Sequence, residues 1–214
     1  LVALPLARPF RRAGPQRPAQ PAQPVADVMR DTRFWRVALS FGVCGFHIGF
    51  LAVHMPGVIE RCGLPASLAG TWIAVAGAAN IAGSVAVGLA MKRHDAAWLL
   101  IALYLLRALS VLALLLLPSS VAVMTGFAVL MGATHMATLP PTTQLVARQH
   151  GVQRLGTLFG VVMLIHQTGA FAGIWLGGWA AERTGSDTTL WLVDITLAVL
   201  AAVLVWPSRL PRST

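Results

Sequence analysis

Charged residues are scarce in this chain, and acidic side chains are the scarcest of them. Only 11% of the 214 residues are charged, and 7 Asp and Glu stand against 16 Lys and Arg. About a quarter of the residues in a soluble domain are charged, so this composition excludes an ordinary soluble protein. The net charge of +9 does not predict a nucleic-acid partner either, because the basic residues flank apolar runs and form no continuous face.

Cysteine is also rare, and the usual catalytic and metal-binding motifs are missing from the sequence. The two cysteines, Cys44 and Cys62, are too few for a disulfide scaffold, and Cys44 falls inside an apolar run. No two histidines are spaced as in His-x3-His, and neither G-x-S-x-G nor H-E-x-x-H occurs. We therefore expect no metal, no cofactor and no enzymatic activity, and we expect Cys44 to serve in packing.

Apolar runs, by contrast, are abundant, and hydrophobic residues make up 57% of the chain. Runs of about 17–25 apolar residues are long enough to cross the hydrocarbon core of a bilayer as helices. The sequence therefore predicts an all-α membrane protein, a six-transmembrane-helix bundle whose fourth span is kinked at Pro140-Pro141. The six predicted spans are Trp35–His54, Leu68–Met91, Trp98–Leu117, Val121–Ala147, Leu158–Ala180 and Leu190–Trp206.

The fifth predicted span carries glycines at four-residue spacing, at Gly169, Gly173 and Gly177. Small residues at this spacing lie on one face of a helix and allow another helix to approach closely. The second span is rich in glycine and alanine and should pack in the same way. Both spans are therefore expected inside a bundle of helices.

Positive charges are concentrated at one set of span ends, which predicts the orientation in the membrane. They precede the first span and follow the second, fourth and sixth spans, whereas the opposite ends hold only Arg61 and Arg183. Both termini are therefore expected to be cytoplasmic. Residues 1–9 are predicted to be the end of a preceding transmembrane helix, and residues 10–34 a Pro-rich and mobile cytoplasmic linker. The six-helix domain is predicted to span residues 35–207, and residues 208–214 to form a cytoplasmic tail.

Strongly polar side chains fall at similar depths on five of the six predicted spans, at a rise of ~1.5 Å per residue. Such a layer is typical of a transport site near the bilayer centre. Structural explanations stay open, since Arg107 could pair with Asp194 or with a backbone carbonyl, and Asn80 could join neighbouring helices. The layer consists of His47, Asn80, Arg107, His135, His166 and Gln167, and Asp194 is shallower.

Three stretches resemble parts of a known family. FWRVALSFGVCGFHIGFLAVHMP is similar to the seventh helix of bacterial transporters related to the oxalate–formate and monocarboxylate porters, and GTLFGVVMLIHQTGAFAGIWLGG is similar to their eleventh helix. GSVAVGLAMKRH resembles the loop motif G-x-L-A-D-R that follows the eighth helix, with Met91-Lys92 where the acidic residue stands. The chain thus resembles the C-terminal half of a major facilitator superfamily (MFS) transporter.

The resemblance implies a fold of two inverted three-helix repeats that moves a small organic solute by alternating access. A monocarboxylate or a related organic anion is the expected solute, by symport or antiport, in a bacterial-type inner membrane. The partners it implies are the lipid bilayer and an N-terminal six-helix half in the same or another chain. The alternative is a non-transporting membrane scaffold or a remnant half-transporter.

The resemblance also assigns candidate site residues. It implies that the first and fourth helices line the central cavity, which makes His47, His135 and Thr138 candidate substrate-binding residues. His166 and Gln167 on the fifth helix would flank the cavity.

Two further implications concern the second, third and sixth spans. Asn80 occupies the position on the second span at which the carboxylate porters carry a basic side chain. It is therefore also a candidate substrate-binding residue. The third and sixth helices are placed outside the cavity, which disfavours contact of Arg107 and Asp194 with substrate. From the residues themselves, these two are expected to form a structural ion pair. Protonation of His166 or His135 is a hypothesis for proton coupling.

A topology reporter fused after Ser119 tests the predicted orientation. Ser119 lies between the third and fourth spans, on the side with few positive charges, so the reporter should be active outside the cytoplasm. A reporter fused after Arg93, in the basic turn beyond the second span, is the matched cytoplasmic control. Cytoplasmic activity of the Ser119 fusion would overturn the assignment.

Overall fold

The computed structural model describes residues 24–184 and 188–206, and these residues form eight α-helices and one turn of 3-10 helix. No strand occurs in these two ranges. The predicted ends of the chain, residues 1–9 and 208–214, lie outside the described residues. The helices are α1 Val25–Val28, α2 Thr32–Arg61, α3 Ser67–Ala90, α4 Ala96–Leu116, α5 Val121–Thr134, α6 Leu139–His150, α7 Leu155–Thr184 and α8 Thr188–Leu204, with the 3-10 turn at Met136–Thr138.

Five helical segments are long and apolar enough to cross a membrane. α5, the 3-10 turn and α6 together make one of them, Val121–His150. α8 is also apolar, and its 17 residues lie at the short end of the length that crosses a bilayer core. The predicted all-α membrane bundle is therefore confirmed, with a sixth helix that is shorter than its five neighbours.

Short polar residues begin several of these helices. The carboxylate of Asp31 accepts a hydrogen bond of 2.8 Å from the amide of Arg33 at the start of α2, and Asp95 does the same for Ala97 in α4. Ser120 accepts from the amide of Val123 in α5 at 3.2 Å. Each cap satisfies an amide that has no partner within its own helix, which fixes where the apolar segment begins.

The fourth span breaks close to the predicted kink but slightly earlier in the chain. α5 ends at Thr134, and the 3-10 turn separates it from α6. Pro140 and Pro141 lie in the first turn of α6, where a missing backbone N–H does not weaken the helix. The prolines therefore begin a new helix, and the bend itself falls between Thr134 and Leu139.

The end of the predicted linker is part of the bundle. Within 10–34, α1 spans Val25–Val28 and α2 already begins at Thr32. The side chain of Val28 is only 1% exposed, and the indole N–H of Trp35 donates to the carbonyl of Met29 at 2.8 Å. The prediction of a mobile linker is wrong for residues 25–34, because their apolar side chains pack on the bundle; residues 10–23 lie outside the described residues.

The helices pack in pairs that reflect two repeats of three spans. The most extensive contacts join α2 to α7, α3 to α5, and α4 to α8. Counted as spans, the first pairs with the fifth, the second with the fourth, and the third with the sixth. Exchanging the first three spans with the last three leaves this pattern unchanged, which agrees with the predicted 3+3 repeat.

Glycines bring the backbones of the α2–α7 pair into direct contact. A Cβ atom added at Gly169 would collide with the carbonyl of Gly42, and one added at Gly173 would collide with the carbonyl of Phe46. From the other side, Gly45 lies against the carbonyl of His166. The predicted close approach along the glycine face is therefore confirmed.

The α3–α5 pair uses the same device. Gly83 on α3 lies against the backbone of Ala133, and Gly132 on α5 lies against the backbone of Ala76. The predicted packing role of small residues in the second span is thus confirmed for this face of α3. The opposite face of α3 is largely exposed, with Ile81 at 70% exposure.

Replacing Gly169 by alanine should destabilise the bundle. The added Cβ meets backbone atoms that cannot rotate away, and such overpacking costs about 1–3 kcal/mol. Gly160 on the same helix has no atom within 4 Å of an added Cβ, so Gly160→Ala is the matched control and should be neutral or slightly stabilising. Thermal unfolding in detergent, followed by tryptophan fluorescence, should show a lower Tm for Gly169→Ala alone; equal Tm values would contradict the packing.

Candidate functional site

A cavity of about 280 Å³ lies between α2, α3, α4 and α5. Water takes up about 30 Å³ per molecule in the liquid, so the cavity has room for a small solute. Apolar side chains such as Leu51, Trp72 and Met131 form most of its wall. Its polar lining comes from His47, Asn80, Arg107 and His135.

Arg107 is the buried cation of this cavity wall. Its side chain is 1% exposed, and its Nη2 donates to the carbonyls of Thr134 and His135, the latter at 3.0 Å. Its Nε donates to the hydroxyl of Thr134 at 3.2 Å. The guanidinium therefore binds the two carbonyls at the break that follows α5, those of Thr134 and His135.

One nitrogen of the same guanidinium has no partner. Arg107 Nη1 is buried and makes no hydrogen bond within the described part of the chain. Because two of the three guanidinium nitrogens are held by residues at the end of α5, the orientation of the third is fixed. Arg107, a residue of the cavity wall, thus carries a buried, positively charged donor that has no partner among the described residues.

The predicted ion pair between Arg107 and Asp194 is wrong. Among the described residues, the ion pair of Asp194 is with His47, whose Nε2 lies 3.2 Å from Asp194 Oδ1. Arg107 takes the other option that the sequence left open, a bond to backbone carbonyls. The physical reason is the break after α5, which offers carbonyl acceptors to α4 at the depth of Arg107.

The position of Arg107 also differs from the expectation for the third span. This residue was expected outside the cavity, but it lines the cavity together with His47 and Asn80. Asp194 is fully buried on α8, behind His47 and outside the cavity lining. Both residues were expected outside the cavity, but only Asp194 lies outside it.

Three of the six candidate substrate-binding residues, His47, Asn80 and His135, line the cavity. Asn80 combines the two roles considered for it, since it also accepts a hydrogen bond from the amide of Met136 at 3.0 Å. This bond ties α3 to the break between α5 and α6. The role of the three side chains in solute binding stays a prediction.

The other three candidates, Thr138, His166 and Gln167, do not line this cavity. Thr138 is buried, donates to the carbonyl of His135 at 3.1 Å and lies 3.4 Å from the sulfur of Cys44. His166 contacts Gln167 at 3.0 Å, and its ring lies on Phe41 with centroids 4.7 Å apart. His166 and Gln167 lie on α7, which packs closely against α2, whereas Thr138 lies in the 3-10 turn.

Comparison with known proteins identifies the family of this membrane bundle. A sequence model of the Major Facilitator Superfamily matches residues 1–174 and again residues 37–214. Together the two matches cover the whole chain, and the chain belongs to this superfamily of transporters. Membership points to a transporter and away from an enzyme. No curated protein matches the chain.

Thiol labelling tests the burial around this site. Cys44 lies one turn before His47, is 1% exposed and contacts Thr138, whereas Cys62 at the end of α2 is partly exposed. A maleimide should therefore label the folded protein once, at Cys62, and the Cys62→Ser variant should stay unlabelled until it is denatured. Labelling of folded Cys62→Ser protein would contradict the buried position of Cys44; mass spectrometry gives the count.

Proposed function

We propose that this chain is the C-terminal six-helix half of a secondary transporter that carries a small organic anion, a monocarboxylate or a related compound. The observation that supports this most strongly is Arg107 Nη1, a buried and unpartnered cationic donor on a residue that lines the cavity. Alternating access against an N-terminal half would move the bound solute across the membrane.

The charge of Arg107 favours an anion. Arginine stays protonated in proteins, so its charge is permanent. A buried donor without a partner costs free energy, and a carboxylate oxygen would remove that cost with a charge-assisted hydrogen bond. The guanidinium is already oriented by Thr134 and His135, so little side-chain freedom would be lost on binding.

The remaining lining favours a solute that is small and partly apolar. Asn80 uses its amide oxygen on Met136, which leaves its NH2 group as a donor for a bound solute. Leu51, Trp72 and Met131 offer an apolar wall for the hydrocarbon part of a carboxylate. One acidic group with a short carbon chain therefore fits the chemistry of the lining better than a sugar, which needs many polar partners.

The cellular arrangement is proposed from the sequence. The resemblance to the oxalate–formate and monocarboxylate branch supports the solute class and the assignment to the C-terminal half, with 35–207 as the transport domain. The exposed apolar face of α3 supports a surface that lipid or an N-terminal half would cover. Loop charges support cytoplasmic termini, and a bacterial-type inner membrane is the proposed location.

Uptake of labelled monocarboxylates tests the proposal. The chain is reconstituted in liposomes with its N-terminal half, and counterflow is measured for lactate, acetate and formate. Replacing Arg107 with Gln removes one charge-assisted hydrogen bond, worth about 1.5–3 kcal/mol, and should weaken apparent affinity roughly 10- to 100-fold. Arg107→Lys keeps the charge and should lose less.

Arg30→Gln is the matched control, because Arg30 is an exposed arginine at the edge of the bundle. Its counterflow should equal that of the wild type. If none of the three anions is transported by the wild type, or if Arg107→Gln transports them with unchanged affinity, the proposal fails. Complete absence of transport would favour the scaffold or remnant alternative.

A further inference from the structure

We propose that His47 and Asp194 form a proton-binding site in the interior of the bundle, and that this proton sets the charge of the solute cavity. The proton site is inferred from the geometry of the pair alone. Its effect on the solute rests on the proposed function, in which Arg107 binds an organic anion.

The hydrogen bonding of His47 decides where a proton can lie. Its Nδ1 is 2.7 Å from the carbonyl of Val43, and a carbonyl only accepts hydrogen bonds. Nδ1 must therefore carry a hydrogen, which leaves Nε2 of the neutral ring as an acceptor.

That acceptor faces another acceptor. His47 Nε2 lies 3.2 Å from Asp194 Oδ1, so a neutral ring and an ionised carboxylate would place two buried acceptors side by side with no donor between them. One proton on either atom turns this repulsion into attraction, as an imidazolium with a carboxylate or as a neutral ring with a carboxylic acid. The contact is thus favourable only when the pair holds one proton.

Burial makes the unprotonated state costly. Asp194 is 0% exposed, and it is the one buried acidic residue in residues 24–184 and 188–206. Neither carboxylate oxygen of Asp194 has a hydrogen-bond partner among the described residues. An ionised carboxylate without donors is unstable inside a membrane protein, and a bound proton relieves this directly.

Arg107 links the pair to the cavity. It is the charged group on α4 that interacts electrostatically with both His47 and Asp194. The other titratable groups around it are Cys44 on α2, Tyr104 on α4, His135 after α5 and His166 on α7. With these four groups neutral, Arg107 and the proton-loaded pair carry a net charge of +1, and loss of the proton makes the net charge zero.

This change in charge couples proton binding to anion binding. When the His47–Asp194 pair holds its proton, a monovalent anion bound at Arg107 brings the net charge of Arg107, the pair and the anion to zero. When the pair has lost its proton, the same anion brings this net charge to −1. Linkage is reciprocal, so the anion must also strengthen proton binding by the same factor. The geometry therefore predicts that a monovalent anion and one proton occupy the site together.

Infrared spectroscopy of the purified chain in detergent tests the proton site without any solute. Difference spectra between mildly acidic and mildly alkaline pH should contain a carboxyl or imidazolium band in the wild type. This band should be missing in Asp194→Asn, which keeps the size of the side chain. Asp27→Asn removes an exposed carboxylate outside the bundle and should retain the band.

A second variant guards against misfolding of Asp194→Asn. His47→Gln provides an N–H donor that satisfies ionised Asp194 without a proton, so the band should move to more acidic pH. The same difference spectrum in the wild type, Asp194→Asn and His47→Gln would overturn the proton site. Elution of each variant as a single species in detergent confirms that it is folded.

Proton uptake on addition of lactate tests the coupling. In weakly buffered solution with a pH-indicator dye, the complete transporter should take up as much as one proton per bound lactate, and Asp194→Asn should take up none. Wild-type affinity for lactate should fall by about tenfold per pH unit once the pair releases its proton.

The two measurements separate the failure of each proposal. Lactate binding without proton uptake would overturn the coupling while the anion site stands. If lactate does not bind, the proposed function fails for this solute, and the infrared spectra still decide whether His47 and Asp194 hold a proton.

Discussion

The structure depends on the capping of a broken membrane helix by a single arginine. α5 ends at Thr134 in the middle of the fourth span, and its last carbonyls have no amide partners in their own helix. No water competes for such groups in the interior of a membrane bundle, so donors must come from the protein. Arg107 on α4 donates to the carbonyls of Thr134 and His135, and a third hydrogen bond holds the guanidinium on the Thr134 hydroxyl. A positive charge is thereby fixed at the centre of the bundle, with one nitrogen left over.

Glycine contacts determine which helices surround this charge. The α2–α7 and α3–α5 pairs approach until their backbones touch, at Gly45 and Gly169 in one pair and at Gly83 and Gly132 in the other. These two pairs exchange places when the three-helix repeats are exchanged, so a single packing device serves both halves of the bundle. The cavity lies between α2, α3, α4 and α5, and the α3–α5 contact at Ala76 and Gly132 forms part of its wall.

Much of the fold could be predicted from the sequence, because membrane helices are specified by local properties. Apolar length predicted the spans, and the spacing of Gly169 and Gly173 predicted a close helix contact. The two prolines predicted a break in the fourth span, although proline tolerance at a helix start shifted the bend to the residues before them. The packing of Val28 could not be predicted in the same way, because its few apolar neighbours lie next to a long Pro-rich stretch.

The site was less predictable, because it depends on how the helices are rotated against one another. Counting residues along each span predicted a similar depth in the membrane for His47, Asn80, Arg107 and His135. All four line the cavity. Depth cannot tell which face of α8 meets α2, so the contact between His47 and Asp194 was missed. The placement of the third helix outside the cavity also ignored the length of an arginine side chain, which carries its charge well beyond its own backbone.

The most direct test of the central claim, that Arg107 binds the acidic group of the solute, is a crystal structure of the complete transporter with bromoacetate, with the cysteines replaced by serine so that bromoacetate cannot alkylate them. The anomalous signal of bromine locates the ligand without ambiguity between small molecules. The expected result is a bromine atom inside the cavity and a carboxylate oxygen about 3 Å from Arg107 Nη1. Bromoacetate bound elsewhere, with Nη1 still unpartnered, would contradict the claim.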